Sequence, residues 1–229
     1  MDPNERKKLL QLYKDVRLTD VRDGLDTVLL HSVGSMAPHI RPLYRTRAVG
    51  IARTVRYVPF IGRIPERDAA GYWEWSGHYY RDICPYPWID EIEEGDFIVI
   101  DQSGVDAGLM GSENTLSCIR RGARGLVSSG GVRDTDEVIR QNVPFWSAMV
   151  SKSMVQGRLQ FESKNTTVAF AGVTVRPGDI VVADGDGVVV VPLEYAYDVA
   201  DAANKEHERD KVSRRKHYEA LGWTPDDTV

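Results

Sequence analysis

The chain has 229 residues, of which 42% are hydrophobic and 28% charged, a composition that predicts one sizeable core in a single domain. Its formal net charge of −5 lacks the basic excess of nucleic-acid binders, so nucleic acid is not an expected partner. The charged residues 1–8 precede no apolar run long enough for a signal peptide or a membrane span. Cys84 and Cys118 lack the spacing of a disulfide framework or a zinc site. We therefore expect a cytoplasmic protein that does not bind membranes.

The N-terminal half of the chain predicts two helices followed by strands. Apolar side chains recur at helical spacing over residues 9–16, and again over residues 21–29 after a Thr-Asp cap. Residues 48–58 alternate partly in the manner of a strand, and residues 96–101 form a short apolar run after Glu-Gly. Both segments are predicted to be strands.

The middle of the chain predicts a helix, a short strand and a tight turn. The helix opens at Gly111, and the strand covers residues 125–129 between flanking glycines. The turn that follows brings Arg133 and Asp134 side by side. The apolar residues at helical spacing are Leu116, Ile119 and Ala123.

This middle segment combines three groups that an anionic oxo acid needs. The helix that opens at Gly111 presents unpaired N–H groups and a positive dipole end to an anion. Arg133 can clamp a carboxylate through two hydrogen bonds, and Asp134 can offer an oxygen ligand to a hard cation. The alternative is structural: Asp134 and Glu137 also match a capping box for the next helix, and Arg133 also fits a solvated surface position. Spacing alone leaves both interpretations open.

The later strands cluster instead of alternating with helices. Residues 161–170 and 173–175 predict strands, and residues 184–187 predict the turn of a closing hairpin. The Asp-Gly-Asp-Gly sequence of that turn resembles a calcium loop, but Tyr195 stands where the loop requires a bidentate Glu. The pattern as a whole predicts an α/β fold with a single core, clustered strands and flanking helices.

An aromatic segment interrupts this pattern at about residues 60–92. The seven aromatic side chains between residues 72 and 88 are dense enough to pack a subunit contact or to line a pocket for a larger substrate. The C-terminal part, about residues 194–221, predicts a long helix that becomes strongly charged after Ala203. A solvated helix with ion pairs between successive turns explains that charge.

Four segments, in order, resemble one known family. They are residues 18–25, residues 40–43 leading into 49–55, Gly111 with the pair Arg133 and Asp134, and residues 176–192. Each is similar to the RraA-like family, which contains the class II, metal-dependent 4-hydroxy-4-methyl-2-oxoglutarate/4-carboxy-4-hydroxy-2-oxoadipate aldolases and the regulator of ribonuclease activity A. The resemblance covers roughly residues 18–200.

The resemblance implies one RraA-like domain over residues 1–229, with a swivelling β/β/α architecture assembled as homotrimers or homohexamers. It also implies Mg²⁺ or Mn²⁺ held by Asp134 and waters, with Arg133 on the substrate carboxylate or enolate. An acidic residue of the C-terminal helix, Glu206 or Glu208, is expected to reach the active site of a neighbouring subunit.

The chain departs from the family pattern beside Gly111. The acid that usually follows this glycine is replaced by Ser112, and Glu113 stands one residue later. That displacement rotates the acid by about 100° around the helix.

Two functions follow from these residues and this resemblance. The first is a metal-dependent lyase that cleaves a small 2-oxo acid by retro-aldol cleavage or decarboxylation and releases pyruvate or a related enolate. Arg133 and the backbone N–H groups of Gly111, Ser112, Glu113 and Asn114 would bind the substrate, and Glu113 or a water on the metal would act as base. The second is a non-catalytic regulator that binds a ribonuclease or another protein.

Overall fold

The computed structural model describes residues 1–229, with six helices. They are α1 (Pro3–Leu12), α2 (Leu18–Thr27), α3 (Ala69–His78), α4 (Ser112–Arg120), α5 (Thr135–Arg140) and α6 (Ala196–Leu221). A π-helical turn, Tyr79–Ile83, continues α3. None of the helices combines the length and apolar character needed to cross a membrane.

Eleven strands accompany these helices. They are β1 (Arg41–Pro42), β2 (Ala48–Pro59), β3 (Asp96–Asp101), β4 (Gly108–Met110), β5 (Gly125–Val132), β6 (Phe145–Val150), β7 (Leu159–Lys164), β8 (Val168–Phe170), β9 (Val173–Val175), β10 (Ile180–Asp184) and β11 (Gly187–Val191).

Nine of the strands form one mixed sheet in the order β1-β6-β5-β3-β2-β10-β11, with β4 paired to β5 and β7 to β2. The β2–β3, β3–β5, β4–β5 and β5–β6 pairs are parallel, whereas β10 pairs with β2 and β11 in antiparallel register. The sheet curls into a nearly closed, barrel-like layer flanked by helices. β8 and β9 form a separate hairpin.

The core lies on both sides of this sheet. One apolar cluster packs α1, α2 and α6 against β10 and β11, and a second lies beneath the β8–β9 hairpin. The largest cluster contains Tyr79 and Trp88 of the aromatic segment, packed against β4 and α4 residues such as Leu109 and Cys118. The aromatic segment is therefore part of the main core and reaches the end of β4.

Most of the predicted elements are confirmed. The strands predicted at residues 48–58 and 96–101 are β2 and β3, and β10 and β11 pair across the predicted turn with Asp184 opposite Gly187. The long C-terminal helix is α6. On α4, Leu116 is 42% exposed, because the helix turns Thr115 and Cys118 inward.

Candidate active site

The candidate site is built where β4 meets the start of α4. β4 runs parallel to β5, with Met110 opposite Val132, so the residue after each strand lies at the same edge of the sheet. Gly111 forms the N-cap of α4, and Arg133 follows β5. The Arg133 backbone N–H donates to the Met110 carbonyl at 3.0 Å, which ties the two strand ends together.

Two glycines allow this close approach. A Cβ at Gly111 would overlap the Oδ2 atom of Asp134, and a Cβ at Gly108 would lie 2.8 Å from carbons of the Arg133 side chain. At either glycine, an added Cβ would lie closer to these atoms than van der Waals contact allows. The side chains of Arg133 and Asp134 therefore lie directly against the backbone of the β4–α4 segment.

Asp134 faces α4 and not its own helix. Its backbone is left-handed, with φ 55°, and its Oδ2 accepts from the Ser112 backbone N–H at 3.2 Å and from Ser112 Oγ at 3.5 Å. Asp134 occupies the N-cap position of α5 but makes no side-chain capping hydrogen bond there. The capping-box interpretation is therefore wrong, because the left-handed turn carries the carboxylate across to the neighbouring helix N-terminus.

Arg133 retains most of its capacity to bind an anion. Its Nε lies 3.9 Å from Asp134 Oδ2, too far for a hydrogen bond, and no other carboxylate pairs with its guanidinium. The side chains of Arg133 and Asp134 are 34% and 42% exposed. A ligand carboxylate can therefore reach the guanidinium from solvent.

The predicted substrate-binding residues 111–114 lie together, with different surroundings. The Ser112 N–H is already bonded to Asp134, so the first-turn N–H groups of Glu113 and Asn114 remain to receive an anion. The Glu113 side chain is exposed and makes no hydrogen bond or ion pair. The structure thus brings Arg133, Asp134 and the backbone of α4 together, and the Glu113 carboxylate makes no hydrogen bond or ion pair with them.

The donor set fits one class of metal. No group of three or more His, Cys, Asp or Glu side chains is arranged to hold an ion, so a tetrahedral zinc site is not built here. Asp134 offers one exposed carboxylate beside a free Arg. Mg²⁺ and similar hard cations are commonly held by one or two carboxylates with waters and substrate oxygens, so Asp134 fits that pattern.

One tyrosine of the aromatic segment, Tyr86, contacts the strand that ends at this site. The Tyr86 hydroxyl donates to the Leu109 carbonyl at 2.8 Å, and that carbonyl also receives the Asn114 side chain at 3.5 Å. Tyr80 stacks on Tyr86 with ring centroids 6.5 Å apart. Aromatic density marked this segment in the sequence, but nothing in the spacing could say which ring would reach β4.

The remaining reactive side chains lie elsewhere. Burial raises the pKa of both cysteine thiols, Cys84 and Cys118, to about 12, so neither is a ready nucleophile. Glu206 pairs with Arg209 on α6, and Glu208 is exposed without an ion pair. Within one chain, neither acid contacts the Arg133–Asp134 pair.

A cleft of about 890 Å³ lies at a different place, where α1 meets the start of β2. Most of its lining side chains are charged, but Arg6 is bound to Asp96 and Arg124 to Glu94. Its charged groups are thus largely engaged within the chain, and its shape does not include Arg133 or Asp134. The exposed, largely unpaired Arg133 and Asp134 side chains therefore make the end of β4 the better candidate site.

The fold and this edge together define a swivelling β/β/α protein with a paired Arg and Asp opposite a helix N-terminus. The chain belongs to the RraA-like family, whose Aldolase/RraA model matches residues 18–190. A solved structure of RraAS2 from Streptomyces coelicolor, described as an unusual member of the RNase ES inhibitor RraA protein family, has a TM-score of 0.71. It is 26% identical, and the alignment covers 90% of this chain and 96% of that one.

Two relatives with curated names have different sizes from this chain. Protein DlpA of Legionella pneumophila is 27% identical over 195 residues, which cover 84% of this chain and 29% of DlpA. A Pseudomonas putida protein provisionally named a 4-hydroxy-4-methyl-2-oxoglutarate aldolase is 38% identical over 100 residues, which cover 43% of this chain and 61% of that protein. The chain thus spans less than two thirds of the length of either relative.

Proposed function

We propose that this protein is a divalent-metal-dependent lyase that cleaves a small 2-oxo acid between two carbon atoms. The reaction is retro-aldol cleavage or decarboxylation, and the product is pyruvate or a related enolate. One observation carries the proposal: Arg133 and Asp134 stand side by side, exposed and largely unneutralised, opposite the N-terminus of α4. A guanidinium, a carboxylate and a helix N-terminus are the groups that a metal-bound 2-oxo acid requires.

Asp134 is the residue that would hold Mg²⁺ or Mn²⁺, together with waters. A bound divalent ion supplies Lewis acidity toward the 2-oxo carbonyl. The hydrogen bond from the Ser112 N–H orients the Asp134 carboxylate through Oδ2, and its Oδ1 atom accepts no hydrogen bond within the chain and is left for a cation.

Arg133 and α4 would hold the substrate. The planar guanidinium of Arg133 pairs with the substrate carboxylate, or with the negative charge that develops on the enolate oxygen. The N–H groups of Glu113 and Asn114 receive the remaining anionic oxygen. These donors are fixed before the substrate arrives, so little reorganisation is needed as charge develops.

In retro-aldol cleavage, a base removes the proton of the substrate hydroxyl, the adjacent carbon–carbon bond breaks, and its electron pair moves onto the 2-oxo carbonyl as an enolate. A proton then returns to the enolate carbon to give the 2-oxo acid product. Glu113, two residues after Gly111 in the sequence, is the acid proposed to accept the hydroxyl proton. Its exposed position means that it must turn toward the substrate, or act through a water.

The relatives support a lyase without specifying its substrate. The provisionally named aldolase of Pseudomonas putida shares 38% identity over its aligned residues, and the family model covers most of the chain. Assembly as trimers or hexamers would place Glu206 or Glu208 of one subunit over the open site of the next. That arrangement would cover the exposed Arg133–Asp134 edge.

The test is pyruvate release by the purified full-length protein. Oxaloacetate and 4-hydroxy-4-methyl-2-oxoglutarate are supplied with MgCl₂ or MnCl₂, and pyruvate is followed by a coupled dehydrogenase assay. We expect turnover that requires metal and is abolished by EDTA. A rate above the uncatalysed background that persists unchanged in EDTA would rule out the proposed metal role.

A second function is a regulator that binds a ribonuclease or another protein. The observation that favours it is the exposed Glu113, which stands apart from the Arg133–Asp134 pair where the family pattern has an acid directly after the glycine. The RraAS2 relative is described as a member of an RNase inhibitor family. If none of the oxo acids tested raises the unfolding temperature of the protein in the presence of Mg²⁺, this second function is favoured.

A further inference from the structure

We propose that Gln102 is a positioning residue of the candidate site. Its buried side-chain amide holds β4 against β5, and this sets where the N-terminus of α4 meets Arg133 and Asp134. The inference rests on the proposed function, because it concerns the same site for a 2-oxo acid. Gln102 acts on the backbone of the two strands and not on the substrate directly.

The side-chain amide of Gln102 connects the segment that enters β4 with β5. Gln102 directly follows β3 and is fully buried. Its amide nitrogen donates to the Val105 carbonyl at 3.2 Å and to the Ala107 carbonyl. Its amide oxygen accepts from the Ser128 hydroxyl of β5 at 3.1 Å. Because the amide is closed to water, solvent cannot replace any of these bonds when one is lost.

Three consecutive residues of β5 form the space that this amide occupies. A Cβ at Gly130 would lie 2.6 Å from the Cδ and Nε2 atoms of Gln102, so only glycine leaves room for the amide. The Gly130 N–H donates to Ser128 Oγ at 3.1 Å, and the Gln102 backbone N–H donates to Ser129 Oγ at 2.7 Å. The position of the Gln102 side chain relative to β5 is therefore fixed.

β4 depends on such a support because its own pairing is short and irregular. The strand has three residues, its one partner strand is β5, and the register shifts between Gly108 and Met110. At its start, the Gly108 N–H also donates to the Ser153 carbonyl at 2.9 Å. With so few ladder bonds, the two carbonyls that Gln102 holds just before Gly108 contribute strongly to the position of the strand.

The position of β4 in turn decides the geometry of the site. A Cβ at Gly108 would lie 2.8 Å from carbons of the Arg133 side chain, so the start of β4 lies directly against that side chain. At its end, the Met110 carbonyl accepts from the Arg133 N–H at 3.0 Å, and α4 begins two residues later. A displacement of β4 by about 1 Å would move the α4 N–H groups relative to Arg133, and misplacement on that scale weakens preorganised binding groups.

The test compares Gln102→Met with the matched control Gln156→Met. Methionine keeps the length of the side chain but removes the amide donors and acceptor. Gln156 is also a buried glutamine, and its amide donates to Ser76 Oγ at 2.8 Å, outside β4 and β5. The dissociation constant of sodium oxalate is measured by calorimetry in saturating MgCl₂, on full-length proteins that circular dichroism shows to be folded. We expect Gln102→Met to weaken oxalate binding about tenfold and to raise the KM for oxaloacetate, and Gln156→Met to keep wild-type values.

These measurements separate positioning of the site from a loss of stability. A smaller folded fraction lowers the binding stoichiometry and the apparent kcat, but it leaves the dissociation constant and the KM of the folded molecules unchanged. A second variant, Gly130→Ala, keeps Gln102 and places a methyl group where its amide now lies. Because the amide must then move, we expect Gly130→Ala to weaken oxalate binding in the same direction.

The outcomes distinguish this inference from the proposed function. Wild-type oxalate affinity and KM in folded Gln102→Met overturn the role of Gln102 and leave the lyase intact. Equal weakening in Gln102→Met and Gln156→Met also overturns it, because the effect would then come from general loosening of the core. If Gln102→Met does not fold, Gly130→Ala decides: weakened oxalate binding supports the role, and wild-type affinity overturns it. A wild-type protein that binds neither oxalate nor pyruvate in the presence of Mg²⁺ overturns the proposed function and this inference together.

Discussion

Two groups of charged side chains in this protein differ in whether their charges are neutralised within the chain. Asp20 of α2 is 1% exposed and accepts from the Arg17 Nε at 2.9 Å and from the Arg17 backbone N–H at 3.0 Å, with His207 Nδ1 of α6 at 2.8 Å. Arg17 also donates to Asp210 at 2.6 Å. Asp134, by contrast, is 42% exposed, and its donors within hydrogen-bond range both belong to Ser112.

The difference separates a structural role from a binding role. A buried carboxylate must be paired because desolvation penalises its charge, and the pairs around Asp20 join α2 to α6 across 187 residues of sequence. Arg133 and Asp134 stand 3.9 Å apart with solvent access, so most of their hydrogen-bonding capacity is left for a ligand. The charged side chains that are paired within the chain around Asp20 stabilise the fold. The largely unpaired Arg133 and Asp134 at the sheet edge are the ones expected to bind a ligand.

The largest effect is expected when the buried ion pairs around Asp20 are disrupted. Asp20→Asn removes the buried carboxylate that accepts hydrogen bonds from both Arg17 and His207, so the free energy of unfolding should fall by about 3 kcal/mol. Urea unfolding followed by circular dichroism measures the change. Asp201→Asn is the control, because the Asp201–Lys205 pair is 67% and 73% exposed, and it should cost less than about 0.5 kcal/mol. A loss below about 1 kcal/mol for Asp20→Asn would contradict the structural role.

The second effect concerns activity and not stability. Asp134→Asn keeps the left-handed turn, which Asn tolerates, and keeps an acceptor for the Ser112 N–H, but it removes the charge that a hard cation needs. We expect kcat/KM to fall at least about tenfold, roughly 1.4 kcal/mol of transition-state stabilisation, with unfolding nearly unchanged. Asp136→Asn, two residues further on in the first turn of α5, should leave both quantities at wild-type values. Wild-type turnover of Asp134→Asn at limiting metal would refute the site.

Arg133→Lys tests the other half of the pair. Lysine keeps the positive charge but loses the planar fork that grips a carboxylate in two places. The variant should fold normally and lose at least about tenfold in kcat/KM for oxaloacetate. The measurement is steady-state kinetics on the purified variant. Full activity would show that a positive charge at position 133 is sufficient for substrate binding.

A moderate effect is expected from filling the space beside the pair. Gly111→Ala places a methyl group where Asp134 Oδ2 now lies, so the carboxylate must move away from the α4 N-terminus. We expect a loss of activity of several-fold, and weaker binding of Mn²⁺ measured by electron paramagnetic resonance. Gly77→Ala in α3 is the matched control, because nothing lies within 4 Å of its added methyl group, and it should be neutral or slightly stabilising. Equal activity in the two variants would contradict the close packing at Gly111.

The smallest effect is the pH dependence of stability. Desolvation raises the pKa of Asp20, but hydrogen bonds from Arg17 and His207 outweigh it and leave the pKa below its usual value. The folded state therefore binds this proton less readily than the unfolded state, and the contribution of Asp20 is present above about pH 4 and is lost as pH falls through the lowered pKa. The stability difference between wild type and Asp20→Asn, measured by urea unfolding from about pH 6 down to about pH 3, should shrink. A difference that grows on acidification would have the wrong sign.

Much of the candidate site followed from local sequence. The Gly111 opening and the adjacent Arg133 and Asp134 lie within one helix, strand and turn, and the hydrogen bond between Ser112 and Asp134 spans only 22 residues. The glycine-flanked run that predicted β5 is confirmed, and so is the closing hairpin. Such local units are encoded by spacing and turn residues, which is why they could be read from the chain alone.

Other features depended on packing that spacing does not encode. The same Asp134 and Glu137 spacing that suits a capping box is present here, yet the left-handed backbone at Asp134 sends its carboxylate to α4. The helical spacing of Leu116 did not decide which face of α4 is buried, since α4 packs through Thr115 and Cys118. In both cases several local arrangements were compatible with the residues, and contacts with neighbouring elements selected one.

The sequence by itself determined which groups the site would contain: a helix opening at Gly111 and an adjacent Arg and Asp after a buried strand. Only the tertiary structure decided what surrounds them. The parallel pairing of β4 with β5 brings the α4 N-terminus against Asp134, and the aromatic segment reaches Leu109 through Tyr86. Side-chain identity and local spacing are properties of the chain, whereas which surfaces meet depends on how the whole sheet buries its apolar faces.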